Sequence, residues 1–284
     1  MTQTYRLILD CPDSIGIVSK VGGLITENGG WISEASQHSD IDSKRFFSRL
    51  EVNADSLLFG VDVLREKFQP LVEKLQLNLR IVDSAKPKRV ILMVSKGSHC
   101  LADLLDRWKS GDLNCDIPCI ISNHDDMRGL ANFYGIPYHH VVIEKDNKAP
   151  GFNEVERLVD SYKVDCIVLA RYMQIFPQAL CEKYRHQVIN IHHSFLPSFV
   201  GGQPYHQASR RGVKLIGATC HYVTEQLDEG PIIDQDVVRV NHTDSVEDLV
   251  RLGKDVEKSV LARGLRAHLE DQILVHENKT IVFN

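Results

Sequence analysis

Hydrophobic positions in the first 84 residues switch between two periods. Residues 5–9 make a short apolar strand, and Cys11-Pro12-Asp13-Ser14 reads as a turn that also caps a helix. Over 15–26 the apolar residues Ile17, Val18, Val21, Leu24 and Ile25 recur at helical spacing. Asn28-Gly29-Gly30 ends that helix, because glycine accepts the left-handed cap conformation. Residues 31–38 and 46–52 look like a strand pair. Leu64, Phe68, Leu71, Val72 and Leu75 mark a second amphipathic helix, and 77–81 alternates as a last strand. The predicted order is β-α-β-β-α-β.

A polar run with a proline, residues 83–89, follows and reads as a linker. Beyond it apolar strands at 90–94, 117–121, 138–142 and 166–169 alternate with helices at 101–108, 127–134 and 155–162. That alternation predicts a parallel sheet covered by helices. Two further strands, 216–222 and 232–240, precede a long helix over 246–268. The chain therefore divides into domains 1–84 and 85–284 of an α/β protein. In such sheets ligands bind beyond the carboxyl ends of the strands, which draws attention to the loops after Val94, Leu169 and Ile189.

Composition narrows the functional classes. The chain has 284 residues, which at about 150 residues per domain agrees with two domains. With 33 basic and 38 acidic residues the formal net charge is −5, a poor basis for binding nucleic acid or an anionic membrane. No apolar run reaches the length of a membrane span, and the N-terminal MTQTYRLILD carries an acidic residue in its apolar stretch, unlike a signal peptide. Seven cysteines, an odd number and several of them inside apolar runs, point to free thiols in a reducing cytoplasm. Twelve of the 13 histidines follow residue 86, so polar chemistry concentrates in the second domain.

The densest polar segment is Val188-Ile189-Asn190-Ile191-His192-His193-Ser194-Phe195-Leu196-Pro197. On a strand, residues two apart share a face, so Asn190 and His192 point the same way and His193, if the strand continues, points away. An amide beside an imidazole can stabilise a carbonyl oxygen as it gains negative charge. A second polar segment carries Asp228 in Leu227-Asp228-Glu229-Gly230-Pro231, 36 residues beyond His192. A carboxylate near an imidazole raises the histidine pKa and can position a water. His139, His140 and His206 lack an H-x-x-x-H or C-x-x-C partner pattern, so no metal site is expected. Gly129 and Gly135 do not form a dinucleotide fingerprint.

Two resemblances follow from these residues. The first domain, with Asp13-Ser14-Ile15-Gly16-Ile17-Val18 as a D-x-x-G-I-V element, resembles the ACT domain, a ferredoxin-like module. That resemblance implies edge-to-edge pairing into a homo-oligomer and an amino-acid effector near Asp13, Ser14, Ile15 and Gly16. A bare oligomerisation domain is the alternative. The second domain, with N-x-H, S-x-L-P and L-D-x-G-P, is similar from about residue 88 to 239 to the Rossmann-like formyltransferase fold that uses 10-formyltetrahydrofolate. The resemblance implies a catalytic trio of Asn190, His192 and Asp228. It implies folate contacts from Arg171, Tyr172, Met173 and Ile175, and from His221, Val223 and Thr224. Folate is then the substrate, with no cofactor and no metal. Ribonucleotide-using members of that family carry a glycine-rich phosphate cradle where this chain has Ser95-Lys96-Gly97-Ser98-His99-Cys100. The N-terminal position of the extra domain instead resembles the branch that hands the formyl group to water. Gly201-Gly202-Gln203-Pro204-Tyr205 departs by one small residue from that branch's G-A-x-P-Y. Two other readings stay open at this point: transfer to an unrecognised amine, and a folate or amino-acid sensor without turnover.

Overall fold

The first strand, β1 (Thr4–Pro12), is central to a four-stranded antiparallel sheet in the computed structural model, which describes residues 3–198 and 204–283. Helix α1 (Ile17–Glu27), strands β2 (Ile32–Asp40) and β3 (Arg45–Asn53), helix α2 (Val61–Leu75) and strand β4 (Asn78–Asp83) complete the predicted β-α-β-β-α-β series. The sheet order is β2-β3-β1-β4. Alternation along β1 sends Leu7 and Leu9 to a core with Val21, Ile25, Leu64 and Phe68, which the two amphipathic helices supply.

The opposite face of that sheet is also covered. Ile8 and Phe47 pack with Leu274 and Phe283 from the end of the chain. Residues up to Pro87, Glu270–His276 and the stretch from Ile281 form one compact unit, and Lys88–Leu269 with Glu277–Thr280 form another. The tail, assigned with the second domain on sequence order, thus groups largely with the first. Its Asp271, with no side-chain exposure, is paired to Arg80 at 2.8 Å and to Arg6 at 3.5 Å. Neither adjacent apolar residue nor buried charge makes sense for a sheet with one wet face, and the tail supplies the reason.

The second unit begins with β5 (Lys88–Val94), α3 (His99–Ser110), the two-residue β6 (Cys115–Asp116), β7 (Ile120–Ser122), α4 (Arg128–Tyr134) and β8 (Tyr138–His140). It continues with α5 (Ala149–Tyr162), β9 (Cys166–Leu169), α6 (Gln178–Lys183), β10 (Val188–His192) and α7 (Pro204–Arg211). Its last elements are β11 (Leu215–Tyr222), β12 (Ile232–Arg239) and α8 (Val246–Leu269), and the tail that follows carries β13 (Ile273–His276) and β14 (Lys279–Val282). The sheet runs β12-β11-β10-β9-β5-β7-β8, with β6 beside β5. The pairs from β10 to β8 are parallel, while β11 and β12 join antiparallel. The patterning predicts this mostly parallel α/β sheet. The short α6, α7 and the C-terminal hairpin were not predicted, being too brief to show a period. No helix among the described residues is long and apolar enough to cross a membrane.

Candidate active site

Three chain segments meet beyond the carboxyl ends of β9 and β10. They line a cavity of about 280 Å³ formed by Leu169, residues 171–176, residues 190–193, His221 and residues 223–228. Every catalytic and folate-contact residue expected from the sequence lies on its wall.

Strand β10 supplies Asn190 and His192 from one face. Asn190 stands opposite His221 in the antiparallel ladder and His192 opposite Thr219. The motif loop between β11 and β12 returns Asp228 to the same point. His192 Nδ1 lies 3.1 Å from Asp228 Oδ2, and His221 Nε2 lies 3.7 Å from its other oxygen. Asn190 Nδ2 is 3.2 Å from His221 Nε2. His221 Nδ1 donates to the Tyr222 carbonyl at 2.9 Å, which leaves its Nε2 facing the amide. Asn190, His221, Asp228 and His192 therefore form one continuous polar chain. The structure gives His221 a place beside the trio, in addition to the pterin contact that the resemblance implies.

Burial pushes the Asp228 carboxyl up, but the hydrogen bond from His192 and the nearby His221 ring outweigh it and hold the group well below the usual carboxylate range. An ionised Asp228 fixes the His192 proton on Nδ1. The other nitrogen, Nε2, is buried without a protein hydrogen-bond partner among the described residues. It is the atom of the trio best placed to meet a substrate oxygen or a water.

Backbone geometry explains the L-D-x-G-P motif. Asp228 adopts a left-handed conformation with φ 59°. A Cβ on Gly230 would sit 1.8 Å from the Tyr222 carbonyl oxygen, so only glycine lets the loop close against the end of β11. The Tyr222 amide donates to the Pro231 carbonyl at 2.9 Å and completes the closure. After His192 the strand ends, and the expected outward direction of His193 does not hold. Its ring lies 5.1 Å from that of His192 and 6.1 Å from that of Tyr205, on the cavity wall. Burial and then the nearby Arg171 push His193 down to about 3, so it is neutral near pH 7. Thr219 Oγ1 donates to the Ser194 carbonyl at 2.9 Å and accepts from the Leu196 amide at 3.0 Å, pinning this loop.

The 171–176 segment is tied to β5: the Met173 amide donates to Ser95 Oγ at 2.9 Å. Met173 and Ile175 are exposed at the mouth, as is Leu227 across from them. Apolar side chains at the lip of a cavity suit a flat ring system. Tyr172 points into the core beneath, and burial pushes its phenol up. Arg171, in a left-handed conformation, directs Nε to 3.4 Å from Glu257 Oε2. Glu257 also receives His99 and Tyr205. None of these three was singled out as a site residue. A signal existed for one of them: Glu257 interrupts the core-facing stripe of Leu249, Gly253, Leu261 and Gly264 along α8. His99, Cys100 and Glu257 have donor atoms within 4.8 Å of one another, the spacing a metal would need. The adjacent Arg171 guanidinium and a Cys100 thiol pushed up by burial are unsuited to a cation there.

In the first unit Asp13, Ser14 and Gly16 line a separate open groove with Gln37, His38 and Phe46. Ile15 is exposed beside it. Gly201, Gly202 and Gln203 lie outside the described residues.

The formyl transferase family model matches residues 88–265. Formyltetrahydrofolate deformylase of Synechocystis is 47% identical over 99% of this chain and 98% of its own length. The chain belongs to the formyltetrahydrofolate deformylase family. A crystal structure of a formyltetrahydrofolate deformylase from Pseudomonas syringae shares 61% identity and superposes with a TM-score of 0.99, covering 100% of this chain and 95% of that one. The likeness to the transferases is narrower. Phosphoribosylglycinamide formyltransferase from Anaplasma phagocytophilum is 32% identical with a TM-score of 0.64, over 70% of this chain and 96% of that one. The formyl transferase family model likewise begins at residue 88, after the β-α-β-β-α-β unit.

Proposed function

We propose that the chain hydrolyses 10-formyltetrahydrofolate to formate and tetrahydrofolate. The observation that carries this is the pairing of His192 with an ionised Asp228 beside Asn190 in one cavity, on a chain of the deformylase family. The pterin and its ring system enter between 171–176 and 223–228. Asn190 donates its amide N–H to the formyl oxygen as that oxygen becomes anionic. Asp228 holds the His192 ring through Nδ1 and stabilises the imidazolium that forms when Nε2 takes a proton from the attacking water. The water oxygen bonds to the formyl carbon, the carbon–nitrogen bond breaks, and the proton on Nε2 passes to the departing amine of tetrahydrofolate. The products are formic acid, which ionises, and tetrahydrofolate. All of these steps use the chain's own side chains, with neither metal nor cofactor.

The first unit, residues 1–84, is in this reading an ACT module that assembles the enzyme as a homo-oligomer and takes an amino-acid effector in the groove at Asp13, Ser14, Ile15 and Gly16. Seven free cysteines, six of them buried, support residence in a reducing cytoplasm. The decisive experiment is purified protein with 10-formyltetrahydrofolate and no amine acceptor, followed for release of tetrahydrofolate. Turnover at an unchanged rate on adding glycinamide ribonucleotide is expected. A rate proportional to that amine would overturn the hydrolase reading.

A further inference from the structure

During hydrolysis one hydrogen of the attacking water goes to His192 Nε2, while Asn190 meets the formyl oxygen and Asp228 holds the far side of the imidazole. A water held through a single hydrogen still turns about that bond, so its lone pair is not aimed at the formyl carbon. A second fixed acceptor aims it, and orientation of this kind supplies a large part of enzymatic rate.

His193 stands where such an acceptor is needed. It lines the cavity directly after the end of β10. Its ring centre lies 5.1 Å from that of His192, with 47° between the planes. One water with hydrogen bonds of about 2.8 Å spans a gap of that size. Neither ring nitrogen of His193 is hydrogen-bonded within the described residues. Burial and Arg171 keep the ring neutral near pH 7, so it carries one N–H and one bare nitrogen. The bare nitrogen accepts a hydrogen without competing with His192 for the proton. Tyr205, on the other side of the ring, is no substitute, since its hydroxyl donates to Glu257.

The place of the ring is imposed by two neighbouring strands. Thr219 stands opposite His192 in the ladder. Besides its bonds to the Ser194 carbonyl and the Leu196 amide, its hydroxyl accepts from Gln235 Nε2 at 2.9 Å. Gln235 Nε2 also donates to the Leu196 carbonyl at 3.0 Å. Thr219 Oγ1 thereby uses its one donor and both lone pairs. A turn fixed this firmly after His192 keeps His193 at one distance from it.

We propose that His193 orients the acceptor water: its unprotonated ring nitrogen accepts one hydrogen of the water whose other hydrogen goes to His192 Nε2. The water oxygen bonds to the formyl carbon and its proton passes to Nε2. The carbon–nitrogen bond then breaks, the Nε2 proton goes to the departing amine, and the hydrogen facing His193 leaves with formic acid. This deepens the hydrolase reading and rests on it.

Four full-length variants of matched shape separate the acceptor from the packing. H193N and H193Q keep a carbonyl oxygen near the place of one or other ring nitrogen, while H193L and H193M fill similar space without an acceptor. Each is assayed for turnover of 10-formyltetrahydrofolate without amine, and for affinity to a non-hydrolysable folate by calorimetry. The better amide variant is expected to keep kcat within about 10-fold of wild type, and both apolar variants to fall roughly 100-fold, with folate affinity unchanged in all four. A packing role would give the reverse order. Apolar variants as active as the better amide, or affinity lost in parallel with kcat, would overturn the proposal. If the variants do not fold, a crystal structure of the unaltered chain with the same folate decides. One water bonded to both His192 Nε2 and His193 is expected there, and a His193 bonded instead to protein or folate would overturn it. A wild type that releases no tetrahydrofolate without amine would sink the hydrolase reading, whereas an active wild type with four equal variants would sink this proposal alone.

Discussion

At residue scale, Asp228 and His192 act as one unit, because the ionised carboxylate determines which imidazole nitrogen carries the proton. Asp228→Asn leaves the shape but removes the charge, and is expected to lower kcat by about 10²- to 10³-fold, the range seen when a charge-stabilising group is lost. Asn190→Ala should fall in the same range. Calorimetry with a non-hydrolysable folate should show retained binding in both; affinity lost in parallel with kcat would mean that these side chains hold the folate instead. His193 offers a separate test through pH. Its folded-state pKa of about 3 lies below the ordinary 6.5, so the unfolded chain takes up the proton first as pH falls. Its contribution to stability is complete above about pH 6.5 and declines toward pH 3, with a slope of up to about 1.4 kcal/mol per pH unit. The depressed Asp228 loses its contribution only below its ordinary 3.8. Denaturant unfolding across pH should therefore show a flatter profile between 6 and 4 for His193→Asn than for wild type. Identical slopes would show that His193 is not held neutral.

At the scale of elements, close approaches at glycines position the site. Gly253 lets Tyr205 rest against α8, and Gly230 lets the Asp228 loop close on β11. Gly253→Ala overpacks a buried contact and is expected to destabilise by about 1–3 kcal/mol in urea unfolding. Gly230→Ala should act differently. The loop must swing off the Tyr222 carbonyl, carrying Asp228 from His192, so kcat should fall while most of the stability remains. Normal kcat in a folded Gly230→Ala protein would show that the loop tolerates displacement. Both motifs were legible as sequence, since N-x-H needs only strand alternation and L-D-x-G-P is contiguous. The distance between them was not, because it depends on β11 pairing antiparallel beside β10.

At the scale of the whole molecule, the end of the chain completes the sheet with which the chain begins. Leu274 and Phe283 cover Ile8 and Phe47, and Asp271 answers Arg6 and Arg80. Leu274→Ala is expected to cost about 2–5 kcal/mol of stability, as for other buried leucine truncations. Denaturant unfolding checks this, and a change within about 0.5 kcal/mol would mark the tail as a loose surface segment. Any version of the first unit cut from its tail would leave those apolar side chains in water, so the regulatory role proposed for it is best tested in the full chain with single amino acids.

Local periodicity determined most of the elements. Apolar residues at spacings of two and of three to four choose strand or helix by which face they can bury, and that choice needs no knowledge of neighbours. Contiguous motifs likewise exposed Asn190, His192 and Asp228. Tertiary structure alone decided what depends on distant segments meeting. His193 turned toward His192 because β10 ends there, not because of any pattern around it. His99, Arg171, Tyr205 and Glu257 are scattered over some 160 residues and share no motif, yet one buried charge collects them. Phe46 and Phe47, adjacent in β3, could not both be explained until the chain's end was seen to cover the second face of the sheet. A buried charge or a second covered face is a property of what folds against a segment, and the segment's own sequence records only that something must.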